Sequence, residues 1–277
     1  MQPATAEKYS HLKRLVAESE RVVVAFSGGV DSTFLLFVCA DVLTGQVLAV
    51  TADSEIMPRD ELIRARQLAR QLAVAHLVIH SKDLDVVGFA DNRPDRCYLC
   101  KKERFSKIKQ IAEKKGFCWV FDGSNIDDAN DFRPGMKAVQ ELGIRSPMVE
   151  AGLDKADIRE ISKSLGLTTW DQPSAACLAS RIPYDTPITR SALMQIERAE
   201  AFLRQAGMQV FRVRHHGPIA RLELGEREMH QLFKNHLRDR VVRQLASLGF
   251  QYITLDLGGF RSGSMNEVLP ESIRGMS

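Results

Sequence analysis

The residues with the clearest chemical potential form one short loop, SGGVDS, between an apolar strand-like run and an apolar helix-like run. Consecutive glycines at a strand-to-helix junction present backbone N–H groups to an anion, and a neighbouring carboxylate can hold Mg²⁺ beside phosphates. A glycine pair alone can be a plain tight turn, but the hydroxyl groups and the carboxylate favour a nucleotide site. The loop lacks the lysine that P-loop hydrolases use. The predicted nucleotide ligands here are Ser27, Gly28, Gly29, Asp31 and Ser32, with Asp31 also the predicted magnesium ligand.

Three of the five cysteines suit metal binding or catalysis. Cys97 and Cys100 form a Cys-x-x-Cys pair, and Cys177 stands alone later in the chain. Together they supply three thiolates, one fewer than a closed tetrahedral site needs. Three interpretations are open: a [4Fe–4S] cluster with one iron left open, a zinc site completed by a histidine such as His80 or His215, and a redox dithiol with Cys177 as a separate reactive thiol.

Polar residues also follow two other predicted strands. Asp53 and Ser54 end the second strand, and the loop after the fourth strand is acidic. Such a loop is often only a solvated turn, but near a phosphate loop it favours binding of magnesium or nucleotide. The acidic residues are Asp122, Asp127, Asp128 and Asp131, and the predicted nucleotide ligands in these segments are Asp53, Ser54, Asp122, Gly123 and Arg133.

The alternation of strands and helices predicts an α/β fold with a doubly wound, mainly parallel sheet. We expect strands at 21–26, 46–53, 75–81 and 118–124, and helices at 7–20, 32–43, 59–74 and 102–116. Ligands of such sheets bind beyond the carboxyl ends of the strands. The glycine loop follows the first strand and therefore lies at that edge.

The pattern changes near residue 185. A helix, two alternating strands, a helix over 226–248 and a last strand predict a smaller α+β unit. Two prolines in LASRIPYDTPIT, residues 178–189, interrupt the helical pattern. We therefore expect a nucleotide-binding domain over 1–180 and a C-terminal domain for substrate binding and oligomerisation over 185–277.

The bulk composition is that of a globular protein, with 44% hydrophobic and 26% charged residues among 277. A net charge of +3 is too small to predict a nucleic-acid partner. No apolar run approaches the roughly 20 residues that span a bilayer, and no apolar signal core is present at the amino terminus. We expect a cytoplasmic protein without membrane contact. Disulfides are not expected in that compartment, and Cys39 and Cys118, in apolar stretches, are predicted core residues.

The glycine loop resembles the Ser-Gly-Gly-x-Asp-Ser motif of the PP-loop pyrophosphatase superfamily. The resemblance implies that ATP is cleaved between its α- and β-phosphates: a substrate oxygen attacks the α-phosphate, pyrophosphate leaves and an adenylate forms. It also accounts for the missing lysine, because backbone amides and Mg²⁺ hold a departing pyrophosphate.

Four further stretches resemble the LarE family, whose members are sulfur transferases that build the nickel-pincer nucleotide cofactor. They are DGSNIDDANDFRPGMKA at 122–138, ASRIPY at 179–184, RVRHHGPIARLEL at 212–224 and LDLGGFRSGSMN at 255–266. The resemblance covers about residues 10–267. It implies that ATP adenylates a carboxylate of pyridinium-3,5-biscarboxylic acid mononucleotide and that sulfur then replaces AMP, twice per substrate molecule.

The family resemblance also implies roles for the cysteines. Cys177 aligns with a position where some members carry one cysteine and give up its sulfur in a single turnover. Cys97 and Cys100 depart from those members and imply a subgroup in which all three thiolates hold a catalytic [4Fe–4S] cluster that delivers sulfide. The predicted catalytic residues are Cys177, Asp31 and Glu200.

Two arginines alternate along a predicted strand. Arg212 and Arg214 therefore share one face, and spacing alone favours a solvated sheet surface. The family resemblance instead implies that they bind the substrate phosphate through bidentate hydrogen bonds. It adds Arg181, Glu200 and Arg261 as further candidates.

The implied partners are a small-molecule nucleotide substrate, sulfide or another sulfur donor, and copies of the same chain in a homo-oligomer. A PP-loop tRNA thiolase is the nearest alternative, since some of those enzymes also use three cysteines and a cluster. No appended RNA-binding module is evident, so a stable nucleic-acid partner is not expected. An ATP sensor without turnover is the alternative from another class.

Overall fold

The structure is a computed structural model that describes residues 2–129, 134–173, 176–261, 263–267 and 269–270. These residues divide into two compact units. The first contains 2–86 and 97–173, and the second contains 87–96 and the described residues of 176–270. The second unit thus includes a short segment from the middle of the chain.

The first unit is built on a four-stranded sheet. Its strands are β1 (Val22–Ala25), β2 (Val47–Asp53), β3 (Ala75–His80) and β4 (Trp119–Phe121). They are ordered β3-β2-β1-β4, and all three pairs are parallel. The chain therefore runs outward from β1 to β3 and then returns to the other side of β1. Such a reversal opens a crevice at the carboxyl ends of the adjacent strands β1 and β4, where α/β sheets bind ligands. The predicted parallel α/β fold is confirmed.

Helices cover both faces of this sheet. They are α1 (Pro3–Ala17), α2 (Val30–Val42), α3 (Arg59–Gln71), α4 (Arg96–Lys114), α5 (Ile126–Ala129), α6 (Gly135–Glu141), α7 (Pro147–Glu150) and α8 (Lys155–Ser164). In β1, Val22 and Val24 pack in a core with α1, α2 and α8, whereas Val23 packs in a second core with α4. Successive side chains of a strand point to opposite faces, so a continuous apolar run is what a sheet buried on both faces requires.

The second unit has a small mixed sheet and three helices. Its elements are α9 (Arg190–Gln205), β5 (Phe211–His216), β6 (Ile219–Leu224), α10 (Glu226–Leu232), α11 (Leu237–Ser247) and β7 (Tyr252–Leu255). Strand β6 is central, antiparallel to β5 and parallel to β7. Leu203, Val213, Leu222 and Leu245 join the helices and the sheet in one core.

Two sequence-based expectations about these elements need correction. The single helix expected over 226–248 is two helices, because Asn235 and His236 adopt positive φ angles of 52° and 56°, which interrupt helical geometry. Cys118 is exposed just before the edge strand β4 and is not a core residue, whereas Cys39 is buried as predicted. Among the helices that the structure describes, none has the length and apolar character to cross a bilayer.

Candidate active site

The predicted phosphate loop connects β1 to α2 at the carboxyl edge of the parallel sheet. Gly28 has a φ of 76°, in the left-handed region that favours glycine. A Cβ atom on Gly28 would lie 3.1 Å from the Cα atom of Ala65 in α3. Only glycine therefore lets the loop turn at this place and pass so close to α3.

Donor groups for an anion gather at the start of α2. Its N-cap is Gly29, which has no side chain to accept hydrogen bonds from the first turn of the helix. Those N–H groups and the positive end of the helix dipole are available to a phosphate. The hydroxyl oxygens of Ser27 and Ser32 lie 3.0 Å apart. The buried hydroxyl of Thr33 has no hydrogen-bond partner among the described residues. This set of donors fits the oxygens of a nucleotide phosphate chain.

A lysine reaches the loop from another helix. Lys155, the first residue of α8, forms an ion pair with Asp31, and Asn125 Nδ2 lies 3.4 Å from the other oxygen of the same carboxylate. Sequence reasoning missed both contacts. One local signal was available, because a positive charge directly after the N-cap Asp154 opposes the helix dipole. The tertiary structure thus supplies the positive charge that the loop itself lacks.

The loop after β4 meets the phosphate loop. A Cβ atom on Gly123 would lie 3.1 Å from the backbone nitrogen of Ser32, so the two loops are in close backbone contact. Asp122 is 3% exposed, and its carboxylate accepts hydrogen bonds from the hydroxyls of Ser124 and Ser146, both at 2.5 Å. These bonds fix the conformation of the loop that Gly123 brings against α2.

The other described acidic residues of this loop, Asp127 and Asp128, hold backbone groups. Asp127 accepts a hydrogen bond from the backbone N–H of Lys155 at 2.9 Å, and Asp128 accepts one from that of Asn125 at 3.1 Å. Asp131 and Arg133 lie outside the described residues. The described carboxylates therefore hold backbone segments, and the predicted nucleotide role of Arg133 stays a prediction.

At the end of β2, the predicted nucleotide residues already have protein partners. Asp53 accepts a hydrogen bond from Arg59 Nη1 at 2.6 Å, and the buried hydroxyl of Ser54 accepts one from Arg104 Nη2 at 2.5 Å. Arg104 also donates two bonds, of 3.1 and 2.5 Å, to Asp83. Burial opposes ionisation of Asp83, but the hydrogen bonds and charge of Arg104 outweigh it and hold the pKa of that carboxyl below its usual value.

The three candidate thiols are distributed over both units. Cys97 and Cys100 lie in the first turns of α4, where Cys97 is exposed and Cys100 is buried with its sulfur 3.8 Å from Asp83 Oδ1. Cys177 belongs to the second unit and is partly buried. In the part of the chain that the structure describes, no three Cys, His, Asp or Glu side chains are grouped as a metal site requires. The three-thiolate cluster and the zinc alternative stay predictions.

A buried ion pair positions the turn that follows Cys177. Arg181 Nε and Nη2 lie 3.0 and 3.1 Å from the carboxylate oxygens of Glu200, and Arg181 Nη1 donates to the Cys177 carbonyl at 2.9 Å. Glu200 also accepts the backbone N–H of Val213 at 3.1 Å. Burial opposes ionisation of Glu200, but Arg181 outweighs it and lowers the pKa of that carboxyl. The predicted catalytic and substrate roles of this pair are untested, and its observed contacts position the backbone.

The remaining predicted arginines differ in their partners. Arg214 is buried and donates to Glu223 at 2.7 Å, to the Ser264 hydroxyl at 2.8 Å and to the Ser180 carbonyl at 2.9 Å. Arg212, two residues earlier on β5, lies over the ring of Phe260 at 5.1 Å. Arg261 is exposed and pairs with Glu267 at 3.2 Å. Substrate binding by these arginines stays a prediction.

The fold and the loop together define the class of protein. A parallel sheet with an SGGVDS loop at its switch point is the ATP-binding domain of a PP-loop enzyme. In agreement, residues 10–104 match the sequence model of the asparagine synthase family. One component of the glutamine-hydrolyzing GMP synthase of Methanosphaerula palustris is 26% identical over 224 residues, which cover 73% of this chain and 70% of that protein.

Two relatives match nearly the whole chain. The pyridinium-3,5-bisthiocarboxylic acid mononucleotide synthase of Lactiplantibacillus plantarum is 41% identical over 271 residues, 96% of each chain. An uncharacterized protein of Synechocystis sp. is 38% identical over 262 residues, 95% of this chain and 98% of its own. At this identity and coverage, the chain belongs to the LarE family.

Proposed function

We propose that the chain is an ATP-dependent sulfurtransferase that converts the carboxylates of pyridinium-3,5-biscarboxylic acid mononucleotide to thiocarboxylates. The observation that carries the proposal is the Ser27–Ser32 loop at the switch point of the sheet, in a chain 41% identical to a synthase of the bisthiocarboxylic acid product. We also propose that the first unit binds ATP, while the second contributes substrate contacts and contacts within a homo-oligomer.

The first step activates a carboxylate. A substrate carboxylate oxygen attacks the α-phosphorus of ATP, the bond between the α-phosphorus and the bridging oxygen breaks, and pyrophosphate leaves with the electron pair. The N–H groups at the start of α2 stabilise the charge that develops on the leaving group. Asp31 would hold Mg²⁺, which would supply further positive charge beside the phosphates. Lys155 adds positive charge at the same edge of the sheet.

The second step transfers sulfur. A free carboxylate is a poor electrophile, whereas the acyl adenylate has AMP as its leaving group. A sulfur nucleophile attacks the acyl carbon, a carbon–sulfur bond forms, and AMP leaves with the electron pair of the carbon–oxygen bond. Repeating both steps on the second carboxylate gives the bisthiocarboxylic acid.

For the sulfur source, we propose that Cys97, Cys100 and Cys177 hold a [4Fe–4S] cluster. Three thiols match the ligand chemistry of a cluster with one iron left open, and such a cluster would supply that iron for an additional sulfide. The Ser180 hydroxyl and Arg181 both donate hydrogen bonds to the Cys177 carbonyl, which fixes the backbone at this thiol.

The adenylation step is tested by measuring pyrophosphate release from ATP and Mg²⁺ with the pyridinium substrate. We expect release to require the substrate and to fall about 100-fold or more in Asp31→Asn, because the leaving group loses its electrostatic support. Asp41→Asn, an exposed carboxylate at the other end of α2, is the matched control and should retain the wild-type rate. Wild-type protein that releases no pyrophosphate with this substrate would overturn the proposal.

The sulfur source is tested on anaerobically purified protein by iron and zinc counts with absorption and EPR spectra. We expect Cys97→Ala and Cys100→Ala to lose the iron signal and keep adenylation, while Cys118→Ala, an exposed cysteine on another element, keeps both. Several thiocarboxylates per enzyme are expected with added sulfide. One sulfur per enzyme, with loss of the Cys177 sulfur by mass, would show a sacrificial cysteine, and bound zinc without iron would show the zinc alternative.

A further inference from the structure

One arginine of the second unit is buried without an ionic partner among the described residues. Arg96, at the end of the segment 87–96, is 4% exposed. Its Nε and Nη1 atoms are buried and donate no hydrogen bond to any residue that the structure describes. Its guanidinium group lies 4.3 Å from the ring centroid of Tyr184. Tyr184 therefore supports one side of the group, and the Nε and Nη1 donors in its plane have no partner among the described residues.

The segment that carries Arg96 is firmly attached to the second unit. Asn92 Nδ2 donates to the carbonyls of Ile182, Pro183 and Thr186 at 3.2, 2.7 and 2.9 Å. The backbone N–H of Asp185 donates to the Asn92 carbonyl at 3.1 Å. The position of Arg96 is thus fixed by bonds that do not involve its own side chain.

The other buried arginines of this unit provide the contrast. Arg181 is neutralised by Glu200, and Arg214 by Glu223, in pairs of 3.0 and 2.7 Å. A guanidinium group cannot lose its proton inside a protein, and a buried charge without a partner is strongly unfavourable. Because Arg96 is buried without an ionic partner among the described residues, its guanidinium group can still accept an anion.

We propose that Arg96 is an oxyanion-binding residue that holds a phosphate or carboxylate group of the substrate. The identity of the substrate rests on the proposed function above, whereas the preference for an oxyanion rests on the buried guanidinium group. Its planar N–H donors match phosphate and carboxylate oxygens. Arg214, the arginine expected from its strand position, already makes three hydrogen bonds within the protein.

Binding is tested by calorimetry with three probes. These are the pyridinium substrate, ribose 5-phosphate, which has a phosphate and no carboxylate, and pyridine-3,5-dicarboxylate, which has carboxylates and no phosphate. Arg96→Met should weaken substrate binding by about 10- to 100-fold, the usual effect of losing hydrogen bonds to a charged group. The probe whose affinity falls in parallel identifies the group that Arg96 holds.

The matched control is Arg93→Met, an exposed arginine on the same segment, which should bind all three probes as the wild type does. If neither small probe binds the wild type measurably, the affinity for the pyridinium substrate alone decides whether Arg96 binds the substrate. Substrate affinity equal to that of the wild type in Arg96→Met overturns the inference, even when turnover supports the proposed function. Arg96-dependent binding of a small probe by a protein that does not bind the pyridinium substrate supports the inference and overturns the proposed function.

A thermal measurement separates binding from a structural role. Removing an unpaired buried charge should leave the melting temperature of ligand-free Arg96→Met equal to that of the wild type or higher. Inorganic phosphate should raise the melting temperature of the wild type more than that of the variant if Arg96 holds the phosphate group. A clearly lower melting temperature of ligand-free Arg96→Met, with unchanged substrate affinity, would assign Arg96 to folding. Iron content is measured on each variant, because Cys97 is the next residue.

Discussion

Asp31 and Lys155, in the first unit, form an ion pair whose side chains are each 24% exposed, whereas Arg181 and Glu200, in the second, form one whose side chains are 3% and 4% exposed. Partly exposed charges can exchange one partner for another at little cost, because solvent compensates for the change. Buried charges cannot, because separation leaves one of them unpaired in a poorly solvated site. The sheet edge is therefore suited to receive Mg²⁺ and phosphate, while the buried pair is suited to hold the Cys177 turn in one conformation.

The two regions also differ in the groups that they offer to a ligand: backbone N–H groups in one and arginine side chains in the other. At the sheet edge, glycines bring backbone segments close together and leave the N–H groups at the start of α2 without a side-chain cap, which suits these groups to bind an anion. In the second unit, Arg181 and Arg214 donate hydrogen bonds to the turn that carries Cys177, and their other described hydrogen bonds also go to protein atoms. Substitutions should accordingly affect mainly activity at the sheet edge and mainly stability at the Arg181–Glu200 pair.

The largest effect is expected at the buried pair. Arg181→Ala leaves Glu200 without its partner and should lower the free energy of unfolding by about 3–5 kcal/mol, measured by urea denaturation. Arg198→Ala, an exposed arginine on the same helix as Glu200, is the control and should change stability little. A loss below about 1 kcal/mol for Arg181→Ala would remove the distinction between the two regions.

A smaller effect, and mainly on activity, is expected at Gly28 of the phosphate loop. Gly28→Ala adds a Cβ atom 3.1 Å from the Ala65 backbone and displaces the loop, so pyrophosphate release should fall on the order of 10- to 100-fold. Gly45→Ala is the matched control: its φ is 75°, close to the 76° of Gly28, but nothing lies within 4 Å of the added atom. Equal activity of the two variants would show that the close approach of Gly28 to α3 does not affect the reaction.

The smallest effect is the expected change with pH in the stability that the Asp83–Arg104 pair contributes. The pKa of the Asp83 carboxyl is lowered in the folded protein relative to the reference value of 3.8. The unfolded chain therefore takes up a proton first, so the stability from the Asp83–Arg104 pair is present above pH 3.8 and is lost as pH falls through the lower folded pKa. The stability difference between wild type and Asp83→Asn should shrink in that range, as measured by urea denaturation at successive pH values.

Asp171 is an exposed carboxylate, and the variant Asp171→Asn is the reference for this pH series. A difference between wild type and Asp83→Asn that stays constant down to about pH 2, well below the usual range of carboxyl pKa values, would contradict the assigned cause. Glu200 in the second unit, whose carboxyl pKa is lowered by Arg181 against the effect of burial, should contribute a loss of the same sign.

The sequence determined the features that depend on local spacing. The β-branched run Val22–Val24 predicted a strand, and the glycines and Asp31 predicted an anion site at its end, since strand propensity and backbone freedom are properties of neighbouring residues. The motif stretches predicted the LarE family, which the full-length similarity confirms. The break at Asn235 and His236 was not predicted, because apolar periodicity continues across it while the backbone conformation changes.

Only the tertiary structure decided which side chains that are distant in sequence form ion pairs. Lys155 reaches Asp31 across 124 residues, Arg104 reaches Asp83 across 21, and Arg181 reaches Glu200 across 19. Such pairs depend on how helices and strands pack, and the local spacing of residues does not predict that packing. The same packing buried Arg96 with its Nε and Nη1 donors unpartnered in the described part of the chain, because burial is set by every element around a residue and not by the residue itself.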